Sequence, residues 1–317
     1  MRADYLRVSV IDRCNLRCAY CHPLRGHDLL RREEILRLEE IVHIVRLLAK
    51  CGIRKVRLTG GEPLIRRNIV YLVEELAGIE EIKELTLTTN GVFLEAFAAD
   101  LEKAGLQRVN VSIDSTERQN YKEMTGFDLL PEAIRGLYKA IEVGLTPVKI
   151  NSVIIKNLNF SQIVPLARMS VDLPVAVRFI EYCPTGKYTK PASDYVPTGK
   201  VYEVIEQEFG VLVPVCSGGS DGPASYFRIR NSAGTIGFIS GRTSLFCQSC
   251  NRLRLTSDGK VLPCLFSSKC YDVKKLIRAG SGDEEAIKLL EEVFNKKSDY
   301  TKLSSPTGEF SMQKIGG

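Results

Sequence analysis

No apolar run in these 317 residues approaches the ~20 needed to cross a bilayer, so a membrane-spanning protein is not expected. The opening "MRADYLRVSV" lacks the apolar core of a signal peptide, and a cytoplasmic location is expected. Aromatic residues are few, at 8% with no tryptophan, and no stripe of them is interleaved with basic side chains. A base-stacking platform for nucleic acid is therefore not expected. The net charge is only +6 and is spread along the chain. Such an excess reads as solvated surface with room for an anionic ligand. Disulfides are unexpected in a reducing compartment, which leaves ten cysteines to be explained as core thiols or metal ligands.

What is present begins with rhythm. Strand-like runs at 6–10, 55–59, 85–89, 108–114, 148–154 and 177–181 alternate with amphipathic stretches such as "EEIVHIVRLLAKCG". Gly52, Gly78 and Gly105 stand where helix C-caps would fall. Six β-α repeats imply parallel strands with right-handed crossovers. Within each strand one parity is apolar (Leu6, Val8, Val10; Val56, Leu58; Val109, Val111; Ile150; Val177, Phe179). The other is polar and largely basic: Arg7, Ser9, Lys55, Arg57, Thr86, Thr88, Arg108, Asn110, Ser112, Asp114, Lys149, Asn151, Arg178. Parallel strands covered on both faces read as continuous apolar runs; these do not. The expected fold is α/β, a partial (β/α)6 barrel with a wet, charged interior. The alternative is a one-layer sheet with a solvated face. Past residue 184, "CPTGKYTKPASDYVPTGK" reads as a crossing loop. The expected division is a barrel over 1–183 and a C-terminal α+β region over 184–317, with a helix near 199–209, short β runs, and helices near 272–279 and 284–296.

Three cysteines, Cys14, Cys18 and Cys21, follow the first strand in "DRCNLRCAYC". That is the C-terminal edge of a parallel sheet, where such folds keep their sites. Three thiolates in a tight loop suit a [4Fe–4S] cluster with one iron left open; zinc completed by His22 or a remote residue is the alternative. "TGGEPL" follows the second strand, with Gly60 and Gly61 permitting close backbone approach and Glu62 supplying an acceptor. A second group, Cys247, Cys250 and Cys264, is spaced x2 and x13 in "FCQSCNRLRLTSDGKVLPC". Either it holds another three-ligand cluster, or Cys270 completes a four-cysteine zinc ribbon. Arg252 and Arg254 share one face of the intervening strand, placed to grip a phosphate or purine. Cys51, Cys216 and Cys270 read as packing residues.

The two cysteine groups, "VRLTGGEPLIRR", "LTTNG", "VNVSIDS", "RFIEY" and the final "IGG" together resemble the radical S-adenosylmethionine (SAM) superfamily. Within it they are similar to the GTP 3′,8-cyclase family of molybdenum cofactor biosynthesis, over nearly the whole chain. The resemblance implies two [4Fe–4S] clusters, one held by Cys14, Cys18 and Cys21 and one by Cys247, Cys250 and Cys264. It implies SAM lined by Tyr20, Gly60, Gly61, Glu62, Ser112, Asn151 and the residue at 183. It implies GTP contacts from Arg7, Arg57, Thr88, Lys149, Arg178, Arg252, Leu253 and Arg254. Arg7, Lys149 and the terminal Gly316 and Gly317 would serve catalysis, in which an adenosyl radical takes the 3′ hydrogen of GTP and C3′ bonds to C8 of guanine. The implied partners are GTP, the cyclic pyranopterin monophosphate synthase downstream and an electron donor such as flavodoxin or ferredoxin; no nucleic acid or membrane is implied, and a homodimer is allowed. Cys183 stands where the family has methionine, and so does His22. Two other classes compete. A peptide maturase with auxiliary clusters usually carries more cysteines in its C-terminal part, and a zinc-ribbon binding protein has no need of Arg252 and Arg254.

Overall fold

A computed structural model of the chain describes residues 3–21, 29–182, 194–215, 222–244, 250–265, 267, 269–280 and 282–297. The β-α rhythm is present in full. In chain order it comprises β1 (Tyr5–Ser9), α1 (Leu38–Lys50), β2 (Lys55–Thr59), α2 (Ile69–Ala77), β3 (Glu84–Thr89), α3 (Leu94–Lys103), β4 (Arg108–Ser112), α4 (Arg118–Thr125), α5 (Leu130–Glu142), β5 (Lys149–Ile154), α6 (Lys156–Asn159), α7 (Ile163–Asp172) and β6 (Ala176–Glu181). The later half adds α8 (Thr198–Phe209), β7 (Val213–Val215), β8 (Ser225–Arg228), β9 (Thr235–Ile239), β10 (Arg252–Leu255), β11 (Lys260–Leu262), β12 (Tyr271–Asp272), α9 (Val273–Arg278) and α10 (Asp283–Lys296).

All twelve strands join one sheet, in the order β12-β11-β10-β1-β2-β3-β4-β5-β6-β9-β8-β7. β1 to β6 are parallel neighbours. The later half does not build a sheet of its own. β10 lies parallel beside β1, and β9 lies parallel beside β6. Antiparallel strands continue the sheet outward from each. The fold is thus a partial barrel whose two flanks both come from the C-terminal half.

The apolar parity forms the core. Leu6, Val8, Val56, Leu58, Leu87, Val111, Ile150, Val177 and Phe179 are all fully buried, in one cluster with Ile41, Val45 and Leu48 of α1, Leu72 of α2, Leu101 of α3, Leu137 of α5 and Leu166 of α7. Among the described residues the helices therefore cover the apolar face of the sheet. The opposite parity is not a solvated surface: Ser9, Thr86, Asn110, Lys149, Arg178 and Arg254 are buried too. A buried polar face has to be satisfied internally or by a ligand. Of the three expected C-cap glycines, Gly52 and Gly105 follow α1 and α3 with positive φ (114° and 96°). Gly78 caps α2 at φ −72°, a conformation open to any residue.

Candidate active site

β1 and β2 end side by side, and their pairing continues past the strands into the loops. Val10 N donates to the Thr59 carbonyl (3.0 Å), Gly61 N to that of Ile11 (2.7 Å) and Glu62 N to that of Arg13 (2.8 Å). This contact explains the Gly-Gly pair. A Cβ on Gly60 would lie 2.5 Å from the Ile11 oxygen, and one on Gly61 2.0 Å from the Arg13 oxygen. The structure shows that these glycines admit the cysteine loop, a role the sequence does not suggest. The far side of that loop is held by α4, where Arg17 N and Ala19 N donate to the carbonyls of Thr125 and Met124.

Glu62 is also turned inward. Its carboxylate is buried and accepts from Leu64 N (2.9 Å), Thr89 Oγ1 (2.8 Å) and Asn90 N (2.7 Å). Its acceptors are thus engaged by the protein itself. Asn90, so fixed, points Nδ2 at Asn15 Oδ1 (2.8 Å) and toward Cys14 Sγ (3.8 Å). Burial pushes the Glu62 carboxyl up to about 7 against these donors. A group that binds its proton more tightly when folded favours the fold below its ordinary pKa and loses that contribution as pH rises through the folded value. The unfolding free energy of metal-free protein is therefore expected to contain a decline of about 3 kcal/mol between pH 4.5 and 7 that is absent in Glu62→Gln. Urea titrations at both pH values check it; equal slopes for the two proteins would refute it.

Cys14, Cys18 and Cys21 are partly buried in the loop. Burial pushes Cys14 to about 11 and Cys21 to about 12, and Cys18 well above its ordinary value. The sulfurs add to this mutually, Cys14 and Cys21 both acting on Cys18. Thiolates gathered in a desolvated loop require a cation, and an all-thiolate set suits iron–sulfur chemistry. Among the described residues no three His, Cys, Asp or Glu side chains converge to hold a single metal ion. Beside the loop, Tyr20 donates to Asp114 Oδ2 (2.6 Å), whose other oxygen accepts from Val153 N (2.8 Å).

The polar face carries the cations in rows. Register aligns Arg254, Arg7, Arg57 and Thr86 across β10, β1, β2 and β3, with Arg252, Tyr5, Lys55 and Glu84 in the adjoining row. Thr88, Asn110 and Lys149 form another, and Ser112, Asn151 and Arg178 the next. Burial, with repulsion from Arg254, lowers Arg7 far below its ordinary pKa; burial and Arg252 bring Arg254 to about 10. An anion bound here relieves both costs. The Thr88 hydroxyl and the Arg178 Nε are buried without a hydrogen-bond partner among the described residues. Leu253 departs from expectation: its side chain is in the apolar core, so only its main chain is left to meet a ligand.

At the second group, Cys250 and Cys264 are partly buried and Cys270 is exposed just before β12. That exposure removes Cys270 from the expected packing residues; Cys51 is buried in the core as expected. Lys297, whose burial the sequence did not signal, donates Nζ to Cys250 Sγ (3.4 Å) and to the Pro263 carbonyl (2.7 Å). Burial raises the Cys250 thiol, but Lys297 and Arg252 more than offset it and bring its pKa below the ordinary value. His22, Cys183, Cys216, Cys247, Gly316 and Gly317 lie outside the described residues. Tyr5 and Asn110 are further members of the site without an assigned role. Asn110 was visible in the polar parity, while Tyr5 sits on the same parity as Arg7 but ahead of the expected strand.

An open parallel barrel with a cysteine loop locked to a Gly-Gly-Glu turn at its C-terminal edge is radical SAM architecture, and the comparisons agree. The Radical SAM superfamily model matches residues 8–169. Solved structures with this fold include Streptococcus suis SuiB bound to precursor peptide SuiA (TM-score 0.67, 18% identity, 95% of this chain and 67% of that one) and native anSMEcpe with bound AdoMet (TM-score 0.59, 17% identity, 95% and 83%). The chain belongs to the radical SAM superfamily and, within it, to the GTP 3′,8-cyclase family. The narrower placement rests on the Molybdenum Cofactor Synthesis C model, which matches residues 175–303. It rests also on relatives of nearly full length, each named GTP 3′,8-cyclase. That of Thermodesulfovibrio yellowstonii is 44% identical over 99% of this chain and 97% of its own, and that of Pelotomaculum thermopropionicum is 43% identical with the same coverage. Membership in the superfamily brings SAM and a [4Fe–4S] cluster. No helix among the described residues is long and apolar enough to cross a membrane.

Proposed function

We propose that this chain is a lyase that converts GTP to 3′,8-cyclo-7,8-dihydro-GTP in molybdenum cofactor biosynthesis. The observation that carries the reading is the cationic face on which Arg178 and Arg254 are buried and Arg7, Arg57 and Arg252 half-buried. Cys14, Cys18 and Cys21 would hold the first cluster, which supplies with SAM a one-electron cleavage and a carbon centre that abstracts hydrogen. Tyr20, Ser112, Asn151 and Cys183 line SAM together with the main chain of Gly60 and Gly61, whose Cα atoms face the cysteine loop, and Glu62 acts by fixing the turn. Cys247, Cys250 and Cys264 would hold the second cluster, with Lys297 compensating its negative thiolates. Arg7, Arg57, Arg178, Arg252 and Arg254 grip the triphosphate and base, with Thr88 and Lys149 fixing the orientation that presents C3′. Gly316 and Gly317 support the later step. A reactive carbon of this kind has to be kept from water, and with substrate bound that would fall to this polar face. A flavodoxin or ferredoxin supplies electrons, and the product passes to cyclic pyranopterin monophosphate synthase.

The test is anaerobic reconstitution followed by reduction with SAM and GTP. GTP-dependent 5′-deoxyadenosine is expected; its absence would sink the reading. Arg252→Ala is expected to raise the Kd for GTP about tenfold to hundredfold. An unchanged Kd by calorimetry would remove Arg252 from the substrate site.

A further inference from the structure

We infer that Asn110 is a positioning residue that holds Arg57 and Arg178 together as one doubly charged anion clamp. The inference rests on the reading of the polar face as a polyanion site. Arg57, Asn110 and Arg178 stand on β2, β4 and β6, alternate strands of the curved sheet. The Asn110 amide takes the orientation in which its oxygen faces both guanidinia, since the opposite one sets donor against donor. That oxygen accepts from Arg57 Nη1 and from Arg178 Nη2, the latter at 2.8 Å. Asn110 is buried, so its oxygen has no water to turn to.

Each guanidinium is held from its other side as well. Arg57 Nε donates to Thr86 Oγ1 (3.0 Å), and its guanidinium lies 5.6 Å from the centre of the Tyr5 ring. The second Nη2 proton of Arg178 goes to Asn151 Oδ1 (2.5 Å). Every one of these partners is neutral. A carboxylate at 110 would gather two guanidinia more strongly, but it would cancel charge that an anion has to meet. An amide oxygen gathers them by hydrogen bonding and leaves both charges in place. The cost is mutual repulsion, and Arg178 is lowered by burial and by Arg57. The return is preorganisation: the rotamer freedom of two arginines is lost on folding rather than on binding.

The experiment compares wild type, Asn110→Ala and Asn110→Asp, reconstituted anaerobically, in calorimetric titrations with GTP and with inorganic triphosphate over a range of NaCl. Asn110→Ala is expected to weaken both ligands about tenfold and to keep the wild-type salt dependence, because both charges remain. Asn110→Asp is expected to weaken them about a hundredfold with a shallower salt dependence, because the new carboxylate is paired internally. Asn110→Asp no weaker than Asn110→Ala overturns the clamp, as does wild-type affinity in both variants. Should Asn110→Asp not fold, wild-type affinity in folded Asn110→Ala overturns it alone. Wild-type protein that binds triphosphate but not GTP would remove the cyclase reading, while the triphosphate series still decides the clamp. Wild-type protein that binds neither ligand overturns both.

Discussion

Gly61→Ala is expected to abolish SAM cleavage and to destabilise the protein by about 3 kcal/mol or more. The added Cβ would fall 2.0 Å from the Arg13 carbonyl oxygen, 2.4 Å from its carbon and 3.0 Å from Cys14 N. All three are main-chain atoms, so no rotamer relieves the clash. Either the turn lifts off the cysteine loop, or the loop shifts and carries Cys14 with it. Both outcomes break the hydrogen bonds that run from Gly61 N to Ile11 and from Glu62 N to Arg13. Gly78→Ala is the control, because a Cβ there meets only the carbonyl oxygens of Glu74 and Glu75 at 3.6 Å. It should be neutral or slightly stabilising. Melting temperature, iron content and 5′-deoxyadenosine yield separate the two variants; identical behaviour would show that the loop contact is unimportant.

The second large effect is expected from Glu181→Ala. Glu181, the acidic residue of "RFIEY", is buried at the end of β6. It accepts from Thr198 N (2.9 Å) and Oγ1 (3.2 Å), Arg242 N (2.9 Å), Thr243 N (2.9 Å) and Thr243 Oγ1 (2.5 Å). It therefore seats the first turn of α8 and the chain that leads from β9 toward Cys247. Truncation leaves five donors without their acceptor, a loss of about 4 kcal/mol or more. Burial raises this carboxyl, yet the donors from Thr243, Thr198 and Arg242 more than offset it and hold its pKa below the ordinary 4.5. Its contribution is thus present above that value and lost as pH falls through the folded pKa. The stability gap between wild type and variant should close in acid. A gap independent of pH would mean that the variant acts through packing alone.

The alternation of apolar and polar side chains made six strands and one polar face legible, because a half-buried strand writes its facing into every second residue. The neighbours of β1 and β6 were not legible. Nothing in the local period of Arg252–Leu255 says that its partner is Tyr5–Val8. The sheet runs on from the first six strands into those of the later half. The cysteine groups were legible by spacing, but the job of the Gly-Gly-Glu turn was not, since a residue that admits a ligand and one that admits a neighbouring loop read alike. Lys297 escaped because a lysine at a helix C-terminus ordinarily complements the dipole from the surface. Asn110 was visible as a member of the polar parity, but an asparagine in a polar row carries no mark of which guanidinia it bridges.

The flanking strands bear on the order in which the protein takes shape during synthesis. Everything that braces the first cysteine loop, from Ile11 to Thr125, leaves the ribosome early. The β1–β10 pairing joins Tyr5 to Arg252 and must wait for the later half, as contacts across long sequence separations do. The nascent chain thus contains every residue that braces the first cysteine loop before Arg252, Arg254 and Lys297 exist as polypeptide. Synthesis of the two cysteine groups' surroundings is separated in time by translation itself.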